Sequence, residues 1–289
     1  MKESRVQKQK LITQKIAFGI FAAISFSVLF LSVLVVGFIL VHGIMKLSPE
    51  FLFSKPEEGM MKGGILPAIV GTLLLVIGSS LVAFPIGILS GIYMNEYASK
   101  NYIHSTIQMM TNNLAGIPSI VYGLFGLALF VNSFGFGMSL ISGCLTLGIL
   151  VLPLVIRTTE EALKSIDDSF RWTSYSLGAT KFETVFGVIL PMAFPSILTS
   201  LLLSIGRIAG ETAPIIFTVA AYYLPEISFS LSAQVMALPY HLYVMSTSGI
   251  DLNASREIAF GTALVLMILV LLLNLGLRLV KKFFQKRNS

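Results

Sequence analysis

Cysteine is almost absent: Cys144 is the only one in 289 residues, so neither an intrachain disulfide nor a cysteine metal cluster can form. Histidine is sparse as well, and His42, His104 and His241 are scattered along the chain, which argues against a histidine metal site. No G-x-x-x-x-G-K-[ST] phosphate loop occurs, and neither a serine elbow nor paired catalytic carboxylates can be assembled from the motifs present. Energy for any driven process must therefore come from another chain. Charge is scarce too. Only 12% of residues are charged against 55% hydrophobic, and the mean hydropathy is +0.86, far from the balance of a soluble domain. The formal charge of +6 does not point to nucleic acid, because the basic residues collect at the two ends rather than on one folded face.

What fills the chain is long apolar runs. A helix rises about 1.5 Å per residue and hydrocarbon is roughly 30 Å thick, so each crossing needs about 20 apolar residues. Six stretches qualify, at 16–45, 65–94, 113–132, 139–156, 194–222 and 258–280. The first exceeds a secretory signal core and no small-residue cleavage site follows it, so it reads as a retained helix. Lys2, Arg5, Lys8, Lys10 and Lys15 precede it, while Arg278, Lys281, Lys282, Lys286 and Arg287 lie at the end of the last run and beyond it. The positive-inside bias puts both termini in the cytoplasm, and an even number of crossings agrees with six. The expected organisation is all-α and polytopic: a cytoplasmic N-terminus (1–15), a first span (16–45), an external loop (46–64), a five-helix core (65–280) and a basic cytoplasmic tail (281–289). Within the core, 157–193 is a cytoplasmic loop and 223–257 an external one, the latter with Arg256 as its single basic residue. Pro225, Pro239 and the apolar "AQVMALPYHLYVM" make the external loop a partly buried cap.

The cytoplasmic loop mixes both signs of charge and carries helix punctuation. In "DDSFRWTSYSLGATKFETVFGVILP", Asp168 or Ser169 is an expected N-cap and Gly178 an expected left-handed residue after the helix. Thr180 and Glu183 then form a T-x-x-E capping box that starts a second helix. Pro85 in the second run, and Pro195 and Pro214 in the fifth, remove backbone donors and belong where neighbouring helices or water-lined space satisfy the freed carbonyls.

The fifth run also contains "SIGRIAGETAP", with Arg207 and Glu211 at i and i+4. About 18 Å of helix separates Pro195 from Arg207, which places the guanidinium near mid-bilayer. One reading is a self-neutralising structural pair. The other is a solute pathway, because a buried pair seldom repays its desolvation and intramembrane charge usually faces a cavity. A guanidinium fork suits an oxyanion, and a neighbouring carboxylate keeps it from being trapped. Thr212 adjoins the pair and serves either purpose. Gly206 and Gly210 are spaced for close helix contact, with backbone exposure to solute as the alternative. Ser119 and Tyr122 open the third run on one face beyond Asn113, either lining a path or bonding between helices. Arg157 closes the fourth run as an interfacial anchor.

"RWTSYSLGATKFETVFGVILP" resembles the permease signature of ATP-binding-cassette importers, with Gly178 and Ala179 followed by Ile189, Leu190 and Pro191. It departs from that pattern where Trp172, Thr173 and Ser174 replace the usual acidic-Ala-Ala. Together with "ILPAIVGTLLLV", "NNLAGIPSIVYGLFGLALFV", "GRIAGETAPIIFT" and "MALPYHLYVMST", the chain resembles the PstA family of phosphate transport system permeases. The resemblance implies a bacterial inner-membrane subunit forming, with a PstC-like permease, a pathway for inorganic phosphate. It implies a pair of PstB-like ATPase subunits that use ATP and Mg, a PstS-like phosphate-binding protein outside, and no cofactor or metal on this chain. It implies ATPase contact through Ser174, Tyr175, Leu177, Gly178, Ala179 and Thr180. For the pathway it implies Arg207 and Glu211, and it adds an exit-path role for Arg157. Other readings are a permease for sulfate or molybdate, an ion-gradient-driven transporter, and a membrane scaffold that senses phosphate and moves nothing. Against the ion-gradient reading, the sequence offers no convincing inverted repeats or corresponding broken helices.

Overall fold

In a computed structural model, residues 2–248 and 252–287 are described, so Met1, Asn288 and Ser289 of the terminal segments and 249–251 of the expected external cap lie outside the described residues. Among the described residues, five helices are long and apolar enough to cross a membrane, over Gln14–Ile44, Leu66–Tyr97, Leu140–Lys164, Lys181–Gly210 and Ala254–Lys282. The chain is a multi-pass membrane protein with an all-helical body. The expected third span at 113–132 is not one straight helix. It is a pair, α4 (Tyr102–Ala115) and α5 (Ser119–Gly126, prolonged by a π turn over Leu127–Ser133), bent by 101°. Pro118 lies at the bend and cannot donate into a continuing helix.

Directions within the bundle follow from one seam. Between α3 (Leu66–Ile92, with a π turn over Tyr93–Tyr97) and α6 (Leu140–Lys164), Gly78 faces Cys144, Gly87 faces Val155 and Gly91 faces Thr159. The partners advance together, so the two helices run parallel. A Cβ on Gly91 would sit 2.7 Å from Thr159 Cβ, and this is where small residues let backbones approach. Because α3 and α6 are parallel, the chain between them must return along their length, and the bent pair makes that return. Counted as one traverse, it brings the crossings to six. Pro85 and Pro153 lie inside α3 and α6; Pro153 is buried in the bundle, whereas Pro85 is on the exposed side of α3.

Helix α6 runs on to Lys164 rather than ending near 156, so Arg157 lies inside it. The next helix, α7 (Asp168–Ser176), is capped by Asp167, one residue before Asp168 and two before Ser169, the expected caps, with Asp167 Oδ1 accepting from Ser169 N at 2.8 Å. Hydrogen bonding to Ser169 also holds the Asp167 carboxyl below its ordinary pKa. Gly178 has φ +85°, the left-handed turn the sequence demanded. Thr180 and Glu183 form both bonds of the capping box at the start of α8 (Lys181–Thr184). A π turn at Val185–Ile189 joins α8 to α9 (Leu190–Gly210), and α9 carries Pro195 inside it.

The fifth run does not continue to 222. It stops at Gly210 and restarts as α10 (Ala213–Thr218). Beyond α10 the chain threads back into the core: Val235, Met236, Ala237 and Leu238 are buried. Their neighbours satisfy the orphan donors at the start of α6, with Leu140 N donating to Ala233 O at 2.8 Å and Ile141 N to Leu231 O at 3.0 Å. Helix α11 (Leu238–Thr247) then packs on α12 (Leu252–Arg287). Helix α1 (Lys2–Ile44) meets α12 near its C-terminal end, where Phe38 packs edge-on and His42 at a tilt against Phe260; the most apolar stretch within Gln14–Ile44 is bare. A short helix α2 (Pro49–Phe53) leads into a hairpin of two-residue strands, β1 (Pro56–Glu57) and β2 (Lys62–Gly63).

Candidate functional site

Two helix breaks meet in the bundle. After α4 the chain breaks over Gly116, Ile117 and Pro118, and after α9 it breaks over Glu211 and Thr212. Pro214 in the first turn of α10 lacks an N–H and in a continuous helix would crowd the carbonyl four residues back, which favours the interruption between α9 and α10. The two restarts, α5 and α10, lie side by side: a Cβ on Gly123 would be 2.9 Å from Pro214 Cα. Broken helices, which the sequence did not disclose, are therefore present. Unwound backbone at such depth is tolerated where it is buried in protein or lines a water-filled cavity.

Arg207 stands in the last turn of α9, where a cation complements the exposed carbonyls. Glu211 is not on the same helix face but just past its end, in extended backbone with φ −74° and ψ 129°. Arg207 Nε donates to Glu211 Oε1 at 3.3 Å, and the two side chains are 34% and 15% exposed. Among the described residues the two terminal nitrogens of the guanidinium have no protein partner. Glu211 thus holds one edge of Arg207 and leaves the other open.

Tyr122, buried on α5, lies close enough to feel the Arg207 charge. Its hydroxyl donates to Leu114 O at 2.8 Å, a carbonyl in the last turn of α4 that also accepts from Ile117 N at 3.1 Å. Tyr122 is occupied structurally, while Ser119 is half-buried at the start of α5 and Thr212 makes no capping bond to α10. Gly206 and Gly210 do not form the close helix contact expected of them. A Cβ on Gly206 would only graze Val270 at 3.9 Å, and one on Gly210 would meet nothing within 4 Å. The open space at Gly210 adjoins the ionic pair.

Arg157 is apart from this pair. Its Nη1 donates to Asn112 Oδ1 at 2.9 Å and its Nε to Glu161 Oε1 at 3.1 Å, beside a polar cavity of about 180 Å³ lined also by Gln108, Glu160 and Lys164. Asn112 is two residues before Leu114, so the last turn of α4 links the Arg157 cavity to the break beside Tyr122 and Arg207. Asn112 was not singled out from sequence; an Asn pair ending an apolar-flanked helix before Gly-Ile-Pro was its only signal.

At the end of the bundle bearing α7, Leu177 is 85% and Trp172 69% exposed, with Phe182 exposed alongside. Gly178 and Thr180 are exposed, and Tyr175 and Ala179 half-buried. Ser174 faces inward instead, sharing a 2.8 Å hydrogen bond with buried Thr184, and so closes the helix-turn-helix from within. Trp172 and Phe182 add apolar surface that the sequence alone did not single out.

A profile of binding-protein-dependent transport system inner membrane components matches residues 83–289. The chain is 32% identical over 288 residues to a probable ABC transporter permease protein, YqgI, of Bacillus subtilis (strain 168), covering 96% of this chain and 97% of that one. It is 33% identical over 251 residues to the phosphate transport system permease protein PstA of Pasteurella multocida (strain Pm70), covering 87% of each. With PstA of Mycobacterium leprae (strain TN) it shares 36% identity over 221 residues, 76% of this chain and 70% of that one. Among solved structures it is similar to an inward-facing MetNI methionine ABC transporter chain, with TM-score 0.60 and 18% identity over 76% of this chain and 95% of that one. A chain of a bacterial ABC transporter that imports the acidic polysaccharide alginate gives TM-score 0.57 and 18% identity, covering 77% and 80%. These two share its fold.

Proposed function

Because this chain belongs to the family of binding-protein-dependent transport system inner membrane components, we propose that it is a permease subunit of an ATP-driven importer of inorganic phosphate, the solute named for its PstA relatives. It forms half of the translocation pathway with a PstC-like sister permease, beneath a PstS-like binding protein and above a pair of PstB-like ATPases. Both termini and α7 face the cytoplasm in this assembly, and the hairpin and α11 face out. The chain has no phosphate-loop motif of its own, so ATP and Mg belong to the ATPase subunits.

The observation that carries the reading is the half-held guanidinium of Arg207. Phosphate entering a low-dielectric bundle must exchange hydration for hydrogen bonds, and the two free Nη groups of Arg207 provide a planar, charged donor edge. Glu211 orients that edge and weakens its hold on an anion, which conduction requires. Solute released there passes the α4 break and the Arg157 cavity towards the cytoplasm. Drive enters at α7 through Trp172, Tyr175, Leu177, Gly178, Ala179 and Thr180, with Ser174 keeping the loop rigid. The loop is continuous through α8 with α9, whose far end bears Arg207, so motion at the motor reaches the pathway along one lever.

Replacing both charges, as Arg207→Met with Glu211→Gln, separates this role from a structural one. A structural pair exchanged for neutral groups of similar volume is tolerated or stabilising. A pathway pair so replaced should leave assembly with the partner chains intact and lower phosphate uptake per complex by about ten- to a hundredfold, the worth of roughly 1.5–3 kcal/mol for a hydrogen bond to a charged group. Arg207→Lys, which keeps charge but not the fork, should fall between. Near-normal uptake by the double variant removes Arg207 and Glu211 from the pathway.

A further inference from the structure

Arg171, on the buried side of α7, is heavily bonded among the described residues at this end of the molecule. Its Nη2 and Nε donate to the two carboxylate oxygens of Glu96 at 2.6 and 3.3 Å. Its remaining donors reach Leu163 O at 3.1 Å, Ile166 O at 3.0 Å and Asp168 Oδ1 at 3.0 Å. Each of the five N–H groups of a guanidinium is thereby used. The side chains of Arg171 and Glu96 are only 13% and 6% exposed, and the hydrogen-bonded Glu96 carboxylate raises the guanidinium pKa further.

Glu96 belongs to the π turn that ends α3. One extra residue in a turn rotates the residues beyond it by about 100° relative to an α-helix, and it is within this turn that the carboxylate meets the guanidinium. The neighbouring residue makes a second tie: Lys181 Nζ lies 5.0 Å from the centre of the Tyr97 ring, in cation–π range. Arg171 is in the first helix of the loop and Lys181 opens the second. Both land on adjacent residues at the end of α3, so the loop grips α3 from both sides of the Gly178 turn. Leu163 and Ile166 bring the end of α6 into the same joint.

We infer that Glu96 and Arg171 are positioning residues that make α3 a second output arm of the motor loop. This rests on the importer reading, and it adds an arm to the covalent one through α8 and α9. A desolvated, bidentate ion pair resists separation far more than apolar surfaces that slide, so α7 and the end of α3 move as one piece. The other end of α3 is tied as firmly. Thr72 Oγ1 accepts from Leu238 N at 2.8 Å, and Gly71 lies against the Met236 carbonyl. About 38 Å of helix, at roughly 1.5 Å per residue, separates Gly71 from Glu96. The arm therefore carries movement of the loop to residues 235–238 at the opposite face, while α9 carries it to Arg207.

The test uses the full chain assembled with its sister permease and ATPase subunits in lipid nanodiscs and proteoliposomes. With Cys144→Ser, spin labels on Lys100→Cys and Ser176→Cys report the distance between the end of α3 and α7. We expect that distance to be unchanged between nucleotide-free and ATP-trapped complexes, and to become nucleotide-dependent when Arg171→Met and Glu96→Gln are combined. In proteoliposomes the same neutral pair should retain assembly and ATP hydrolysis while phosphate imported per ATP hydrolysed falls by roughly tenfold, within the usual range of coupling between sites. Arg171→Lys should recover part of the ratio. A distance in the unsubstituted pair that changes by several ångströms on ATP trapping overturns the proposal. So does a wild-type ratio in the neutral variant, including one in which uptake and hydrolysis fall together as a merely structural role predicts. Wild-type complexes that trap ATP and keep the label distance but import no phosphate count against the importer reading instead.

Discussion

His241 is a buried imidazole with a job in stability. It sits on α11 at 3% exposure, with Nδ1 3.1 Å from Thr262 Oγ1. Burial lowers its pKa from 6.5 to about 4, because the imidazolium would have to exist without water. Between those values the unfolded chain holds a proton that the folded chain refuses. Stability is therefore full above about pH 6.5 and is lost as pH falls towards 4, by roughly 3 kcal/mol across the interval. In detergent, the melting temperature should drop more for the wild type than for His241→Gln between about pH 7 and about pH 4.5. Equal drops would show that His241 is not held neutral. Sequence marked His241 only as one of three scattered histidines; its burial depends on α12 arriving from 21 residues further on.

The helix-turn-helix of α7 and α8 is the element whose local chemistry speaks most directly. A Cβ on Gly178 would touch nothing within 4 Å, yet φ is +85°. The penalty for a side chain there is thus backbone strain alone, about 1–2 kcal/mol and worst for a β-branched residue. Gly178→Val should insert and accumulate normally but lose uptake and solute-stimulated ATP hydrolysis several-fold, whereas Gly178→Asn, which tolerates the left-handed region, should keep most of both. Survival of stimulated hydrolysis and of ATPase association in Gly178→Val would free this loop from motor contact. The breaks in α4–α5 and α9–α10 are elements of another kind. Pro118 and Pro214 were visible, but a proline can kink, start or interrupt a helix, and only the packing of Gly123 against Pro214 decides for interruption.

Across the whole molecule, the parallel run of α3 and α6 makes the bent pair a return path and puts the α7 end opposite the β1–β2 hairpin. With Cys144 buried in the seam, a thiol-reactive reagent that cannot cross membranes reads this arrangement directly. Ser176→Cys should label only from the cytoplasm and Lys62→Cys only from outside, since Lys62 is exposed beside Glu58 on the hairpin. Labelling of both from one side would show that the α4–α5 pair turns back without crossing. Helix α1 is bare along its most apolar stretch and meets α12 around Phe38, His42 and Gly43, as suits a span whose remaining faces meet lipid.

Sequence by itself determined that this chain lies in a membrane, because runs of about 20 apolar residues have no other stable solvent. It also determined the capping box, the Gly178 turn and the pairing of Arg207 with Glu211, since each is a matter of residues within four positions of one another. Tertiary structure alone decided that α9 ends at Gly210, so that Glu211 caps Arg207 from beyond a helix rather than along one. It alone brought Asn112 to Arg157 and Glu96 to Arg171, 45 and 75 residues away along the chain. Apolar periodicity cannot foretell such contacts: in a chain surrounded by lipid, nearly every face is apolar, and which face meets which helix is settled by where small residues allow backbones to close and where buried charge finds its counter-charge.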